Sequence, residues 1–272
     1  MYLTRHNTPD GPRWAANGRF LPAGLQFSAL LTLPASTLPA LLFALEALGS
    51  AAEGALLAPI EHGAEVWGSG VTYLRSRDAR KAESATADVY QKVYEAERPE
   101  IFFKAPGWRV SGPGVPVRIR KDTRWNVPEP ELTLVINTHN EIVGYTVGND
   151  MSSRDIEGQN PLYLPQAKTY DGSCALGPGI RIMQPEEMAD LTIGLQIKRE
   201  AQTVFEGETS TAQMKRSFTE LAGYLCRELS FPQGAYLMTG TGIVPPDDFT
   251  LHVGDAISIT IGGDTLQNTV AQ

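Results

Sequence analysis

The chain has 272 residues, 42% hydrophobic and 20% charged, with a net charge of −8. That length suffices for one large domain, or a large domain with a small partner, and the composition excludes disorder, collagen and coiled coil. An acidic chain without a basic block excludes a nucleic-acid binder. Two cysteines, Cys174 and Cys226, and four scattered histidines, His6, His62, His139 and His252, leave no disulfide scaffold and no cysteine- or histidine-rich metal site.

The N-terminus, MYLTRHNTPDG, lacks an apolar signal core, so the expected location is cytoplasmic. Phe20 to Leu45 carries no charge, yet Pro22, Pro34 and Pro39 with five polar side chains argue against a membrane-spanning helix. Ser36 or Thr37 as cap, Pro39 in the first turn and Gly49 at the end predict a helix over Leu38–Leu48. Residues 1–58 read as a small N-terminal lobe and 59–272 as the main domain, with Ala58-Pro59-Ile60 leading into it.

EVWGSGVTY reads as a strand entering a glycine-rich turn, where Ser69, Gly70 and Tyr73 could bring backbone N–H groups close to an anion. A helix is predicted over Ala85–Glu97 and another over Ser217–Leu229. PEIFFKA, ELTLVINT, EIVGYTVG, DLTIGLQIKRE and DAISITIGG read as strands. Without a βαβ alternation, a doubly wound sheet is excluded and a β-rich α+β domain is expected.

Strand geometry supplies the sharpest functional signal. Side chains alternate along a strand, so Glu129 and Glu131 share one face and Leu132, Leu134 and Ile136 take the other. THNE interrupts the pattern before EIVGYTVGND returns. If Asn137 pairs with Ile142, Asp150 lies opposite Glu129, and Gly148 opposite Glu131. Three carboxylates then converge over a glycine, and a hard divalent cation (Mg²⁺, Mn²⁺ or Ca²⁺) would relieve their repulsion. The competing reading is a solvated acidic strand face, and a one-residue slip would favour it.

GYTVGNDMSSRDIE, PLYLPQAKTYDGSCALGP and LMTGTGIVPP resemble the fumarylacetoacetate hydrolase superfamily. EVWGSGVTY, VYEAERPEIFFKA, WNVPEPEL and NPLYLPQAKTY are similar to its branch of 2-keto-3-deoxy-D-arabinonate (2-keto-3-deoxy-D-xylonate) dehydratases. The likeness runs from about Glu65 to the C-terminus. It implies a mixed β-roll holding Mg²⁺ through Glu129, Glu131 and Asp150, a small 2-oxo sugar acid as ligand, and a homodimer or homotetramer. It further implies an active-site lysine at Lys168, a carboxylate-binding threonine at Thr241, and an acid–base glutamate at Glu100. Arg154, Glu157 and Gln166, with Pro165 beside it, are implied around the substrate. The superfamily's hydrolases carry a histidine shortly after the tyrosine of the glycine-rich turn, whereas LRSRDARKAES follows Tyr73 here. The expected activity is therefore dehydration to 2,5-dioxopentanoate. Acylpyruvate hydrolysis or oxaloacetate decarboxylation is the alternative within the superfamily, and a non-catalytic sugar-acid binder is the alternative outside it.

Overall fold

The computed structural model describes residues 1–83 and 87–272. The chain opens with strands β1 (Tyr2–Thr8), β2 (Gly11–Ala16) and β3 (Arg19–Phe20). Helices α1 (Phe27–Leu30) and α2 (Leu38–Glu46) and strand β4 (Leu56–Leu57) follow. Next come β5 (Glu65–Gly70), α3 (Leu74–Glu83), α4 (Ala87–Glu95), β6 (Glu100–Pro106) and β7 (Val117–Arg118). The long hairpin β8 (Asn126–Ile136) and β9 (Ile142–Ser153) leads to α5 (Arg154–Gln159), α6 (Leu164–Lys168) and β10 (Cys174–Ile182). The remainder is β11 (Thr192–Arg199), β12 (Gln202–Ser210), α7 (Phe218–Leu225), β13 (Ala235–Met238), β14 (Ala256–Ile261) and β15 (Asp264–Ala271).

The larger sheet runs β3-β2-β1-β10-β9-β8-β13-β5-β6, with β4 also on β1, and the smaller runs β12-β11-β14-β15-β7. Among the described residues, β13–β5 and β15–β7 are the parallel pairs, which fits the absence of a βαβ repeat. Every residue of β8 and β9 is buried, so this hairpin is covered on both faces. On one face Leu132, Leu134, Ile136 and Val147 meet Ile193, Leu195 and Ile197 of β11 and Ile257, Ile259 and Ile261 of β14. On the other, Val135, Val143 and Met238 join Leu3, Trp14, Phe27, Leu38 and Leu42 from the N-terminal segment.

The segment before residue 59 is therefore tied into the same sheet. Leu3 pairs with Ile180, the Arg5 guanidinium donates to the Ile60 carbonyl at 2.7 Å, and the Tyr236 hydroxyl donates to the Pro59 carbonyl at 2.7 Å. Strands β1 to β3 escape a pattern reading because YLTRHNT and GPRWAA mix charge with short apolar runs. The helix expected over Leu38–Leu48 spans Leu38–Glu46, and that expected over Ser217–Leu229 spans Phe218–Leu225, with the Ser217 hydroxyl accepting from the Glu220 amide. The helix expected from Ala85 is described from Ala87 to Glu95, and Ala85 lies outside the described residues. No helix among the described residues is long and apolar enough to cross a membrane.

The hairpin register matches the sequence reading where it matters and departs from it at the turn. Glu129 faces Asp150 and Glu131 faces Gly148. Ile142, however, pairs with Ile136 instead of Asn137, and a bulge at Val143 absorbs the difference. The Asn137 side chain organises the turn instead, accepting from the His139 and Glu141 amides at 3.0 and 2.8 Å. Beside the bulge, a Cβ on Gly144 would lie 2.0 Å from the Arg181 carbonyl oxygen. Gly144→Ala should therefore lower the thermal midpoint by several degrees, a backbone overpacking effect of about 1–3 kcal/mol, measurable by thermal denaturation.

Candidate active site

Glu129, Glu131 and Asp150 each offer an oxygen within 4.8 Å of the others, and all three are buried. Gly148 is what lets them gather, since a Cβ there would lie 2.2 Å from the Thr133 hydroxyl oxygen. Glu131 is 1% exposed and accepts the Gly240 amide hydrogen at 2.6 Å. Burial pushes its carboxyl well above the usual range, Asp150 and Glu129 add to the push, and Lys168 and the Gly240 amide oppose it. Three converging hard oxygen donors, one of which resists ionising unaided, fit a divalent cation of the Mg²⁺ or Ca²⁺ kind.

Two lysines and an arginine surround the cluster. The Lys168 ammonium reaches Glu129 at 3.0 Å, Asp150 at 2.9 Å and the Ser152 hydroxyl at 2.6 Å. Lys104, with 0% exposure, pairs with the other Asp150 oxygen and donates to the Met151 carbonyl at 3.0 Å and to the Lys168 carbonyl. Sequence reasoning passed over Lys104 as a neighbour of Glu100. The register of β5 on β6 steps from Ala105 to Phe103, so Lys104 is a bulged residue, and bulges re-aim side chains in this way. The Arg154 guanidinium lies 3.4 Å from Glu129. It supports that carboxylate from behind and is not among the residues lining the cleft.

The cleft above the cluster is small, about 290 Å³, near the lower end of the ~300–1,000 Å³ usual for ligand sites. Of the expected residues, Ser69, Gly70, Glu100, Glu129, Glu157, Lys168 and Thr241 line it. Glu100 stands opposite Gly70, and its carboxylate occupies the space that a Gly70 side chain would need: a Cβ there would lie 1.9 Å from the nearer oxygen. The Thr241 hydroxyl is held by the Ile243 amide and carbonyl, each at 3.2 Å. Tyr73 sits lower, buried beside Glu131, and burial followed by that carboxylate raises its phenol. Gln166 and Pro165 are exposed on the outer side of α6. The cleft-facing side belongs to Leu164 and Lys168, one helical turn apart. Val71, Ser76, Phe102 and Leu164 line the cleft without having been singled out in the sequence. Phe102 alone carried a signal, through its shared strand parity with Glu100.

The fumarylacetoacetate hydrolase C-terminal family profile matches residues 65–271. The chain belongs to that family. The match begins at the first residue of β5, so β1 to β4 lie outside it. The chain is 48% identical over 210 residues to a protein of Haloferax volcanii named as a probable 2-keto-3-deoxyxylonate dehydratase, covering 76% of this chain and 72% of the relative. It is 44% identical over 204 residues to the 2-dehydro-3-deoxy-D-arabinonate dehydratase of Saccharolobus solfataricus, covering 72% and 68%. A solved structure of 2-keto-3-deoxy-D-arabinonate dehydratase, complexed with magnesium and 2,5-dioxopentanoate, superposes with a TM-score of 0.82 at 36% identity, covering 99% of this chain and 98% of the other.

Two outcomes follow from the geometry. Gly70→Ala should displace the Glu100 carboxylate and reduce turnover by about 10²–10⁴-fold, the usual worth of an acid–base group, while the thermal midpoint stays near wild type. Glu131→Gln should behave oppositely in EDTA. A carboxyl raised on folding contributes most below its ordinary 4.5 and loses that contribution as pH rises through the raised value. The metal-free variant should therefore melt higher than wild type at neutral pH, with the gap closing towards pH 4.5. Thermal scans across that range check this, and calorimetry should find cation binding lost.

Proposed function

We propose that the protein is a divalent-cation-dependent dehydratase that converts a 2-keto-3-deoxypentonate, of the arabinonate or xylonate series, into 2,5-dioxopentanoate and water. The observation that carries this reading is the placing of two groups of opposite proton-transfer character, Glu100 and Lys168, on the cleft that opens over the three carboxylates. A binding protein needs no such pair. The relatives' names and the product-bound structure support the same substrate class.

A divalent cation held by Glu129, Glu131 and Asp150, with magnesium preferred over manganese or calcium, supplies Lewis acidity towards the carboxylate and 2-oxo oxygens of the acid. The residues of this chain do the rest. Thr241 and Ser69 border the cleft as hydroxyl donors for the substrate carboxylate. Glu100 is placed to take a C3 proton. Lys168, an ammonium ringed by three acceptors, is placed to give a proton to the departing C4 hydroxyl. Transfer of a C5 proton to C3 then leaves an enol that becomes the C5 aldehyde. The substrate loses one water overall, and no oxidant or reductant is consumed.

The departure from the hydrolases supports dehydration over C–C hydrolysis. The segment after Tyr73 carries no histidine. Of the chain's histidines, His139 sits in the hairpin turn against the Thr32 carbonyl and His6 contacts Gly54 in the N-terminal sheet.

An assay coupling 2,5-dioxopentanoate to a semialdehyde dehydrogenase tests the reading. Turnover of 2-keto-3-deoxy-D-arabinonate should require Mg²⁺ and stop in EDTA. Glu129→Ala or Asp150→Ala should fall to background, and Lys168→Ala should lose about 10²–10⁴-fold. Consumption of oxaloacetate or an acylpyruvate in place of the sugar acid would keep the metal site and replace the reaction.

A further inference from the structure

We propose that Val71 sets the chain length of the acid that the cleft accepts, admitting a five-carbon 2-oxo sugar acid and excluding its six-carbon homologue. The inference rests on the dehydratase reading.

Val71 has φ of +54°, in the left-handed region. A β-branched side chain there is a genuine outlier, because its Cβ crowds the following carbonyl. Glycine would take this conformation without strain. The residue is nonetheless valine, 4% exposed, and it lines the cleft. Such strain persists only where the surroundings over-determine it, and both neighbours of Val71 are fixed. On one side, Gly70 lies against the Glu100 carboxylate. On the other, the Thr72 hydroxyl donates to the Thr239 carbonyl at 2.6 Å. It also fills the space above Gly240, where a Cβ would lie 2.0 Å from its oxygen. The backbone is thus held in a costly shape that keeps an isopropyl group in the wall of the cleft.

The size of the cleft gives that group its role. One extra CHOH unit occupies about the volume of a water molecule, roughly 30 Å³. In a cleft of about 290 Å³ that is a tenth of the space. The carboxylate and 2-oxo end of any such acid is fixed by the carboxylate cluster and Thr241. Added length must therefore be taken up at the opposite wall. Leu164 lies in a short helix with exposed neighbours that can shift outward, whereas Val71 is clamped on both sides.

The test uses full-length protein with Mg²⁺ and compares wild type, Val71→Gly and Val71→Ala. It measures kcat/KM for 2-keto-3-deoxypentonate and 2-keto-3-deoxyhexonate, together with calorimetric Kd values for both acids. Both variants should lower the pentonate preference by about 10–200-fold, the range for one carbon unit in a shaped pocket. Val71→Gly should hold or raise the thermal midpoint, and Val71→Ala should melt below it, because alanine keeps the left-handed penalty. A wild-type preference retained in both variants overturns the proposal. So does an equal loss for both acids as the midpoint falls, which marks a structural role only, and so does a wild type that does not discriminate between the acids. A wild type that binds the pentonate selectively yet dehydrates neither acid counts against the dehydratase reading and supports the gate.

Discussion

The structure is organised around the burial of three carboxylates at one end of a hairpin whose other residues are apolar. Two carboxylates on adjacent same-face positions and a third directly opposite would not stay ionised together in a low-dielectric interior without positive charge nearby. Lys104 and Lys168 answer this from different elements, one from a bulge in β6 and one from the end of α6, and Arg154 answers it from the start of α5. The three cations distribute unevenly. Asp150 contacts both lysines and Glu129 contacts Lys168 and Arg154, while Glu131 has the Gly240 amide and is the carboxyl driven furthest from its ordinary behaviour. The site is thus assembled ready for additional positive charge on the Glu131 side, and for an anionic substrate above it.

Holding such a cluster requires a scaffold that cannot relax, and the two-sided burial of β8 and β9 provides it. One face is locked by the smaller sheet, the other by the N-terminal strands and helices. The N-terminal segment lies outside the family match yet completes the cover under the hairpin, so its physical contribution is to the rigidity of the metal end rather than to its chemistry. Glycines finish the assembly. At positions 70, 148 and 240 the space of a missing side chain is filled by a Glu100 oxygen, the Thr133 hydroxyl and the Thr72 hydroxyl respectively. The site is crowded enough that three side chains had to be absent for the others to converge.

Which parts of this were legible in the sequence follows from what sequence periodicity can carry. Strand parity places Glu129 and Glu131 together and Leu132, Leu134 and Ile136 on the far face, and a short polar break fixes the return strand well enough to bring Asp150 opposite Glu129. The assumed Asn137–Ile142 pair does not form, but the Val143 bulge adds one residue and restores the expected register beyond it. The resemblance then assigned Lys168, Glu100 and Thr241. Lys104 stayed hidden because a bulge breaks the alternation that would have placed it, and Gln166 was misplaced because the face of a five-residue helix depends on its docking. The left-handed Val71 has no periodic signature at all, since a β-branched residue after glycine reads simply as more strand.

The costs of the site fall into one short stretch of chain, and this constrains how it can vary. From Ser69 to Tyr73, consecutive residues line the cleft, make room for Glu100, bend through a strained valine, latch onto Thr239 and bury a phenol beside Glu131. Each of these ties restrains the next. The Thr72 latch helps to maintain the strain at Val71, and the bend at Val71 carries the chain from the Glu100 side of the cleft to the Glu131 side. A change in cleft shape at one position therefore propagates to both the acid–base group and the metal end, and selection for a different substrate would act first where the restraint can be loosened without moving either. Leu164 meets that condition, standing at the start of α6 outside these ties, although Lys168 four residues later limits how far the helix can move.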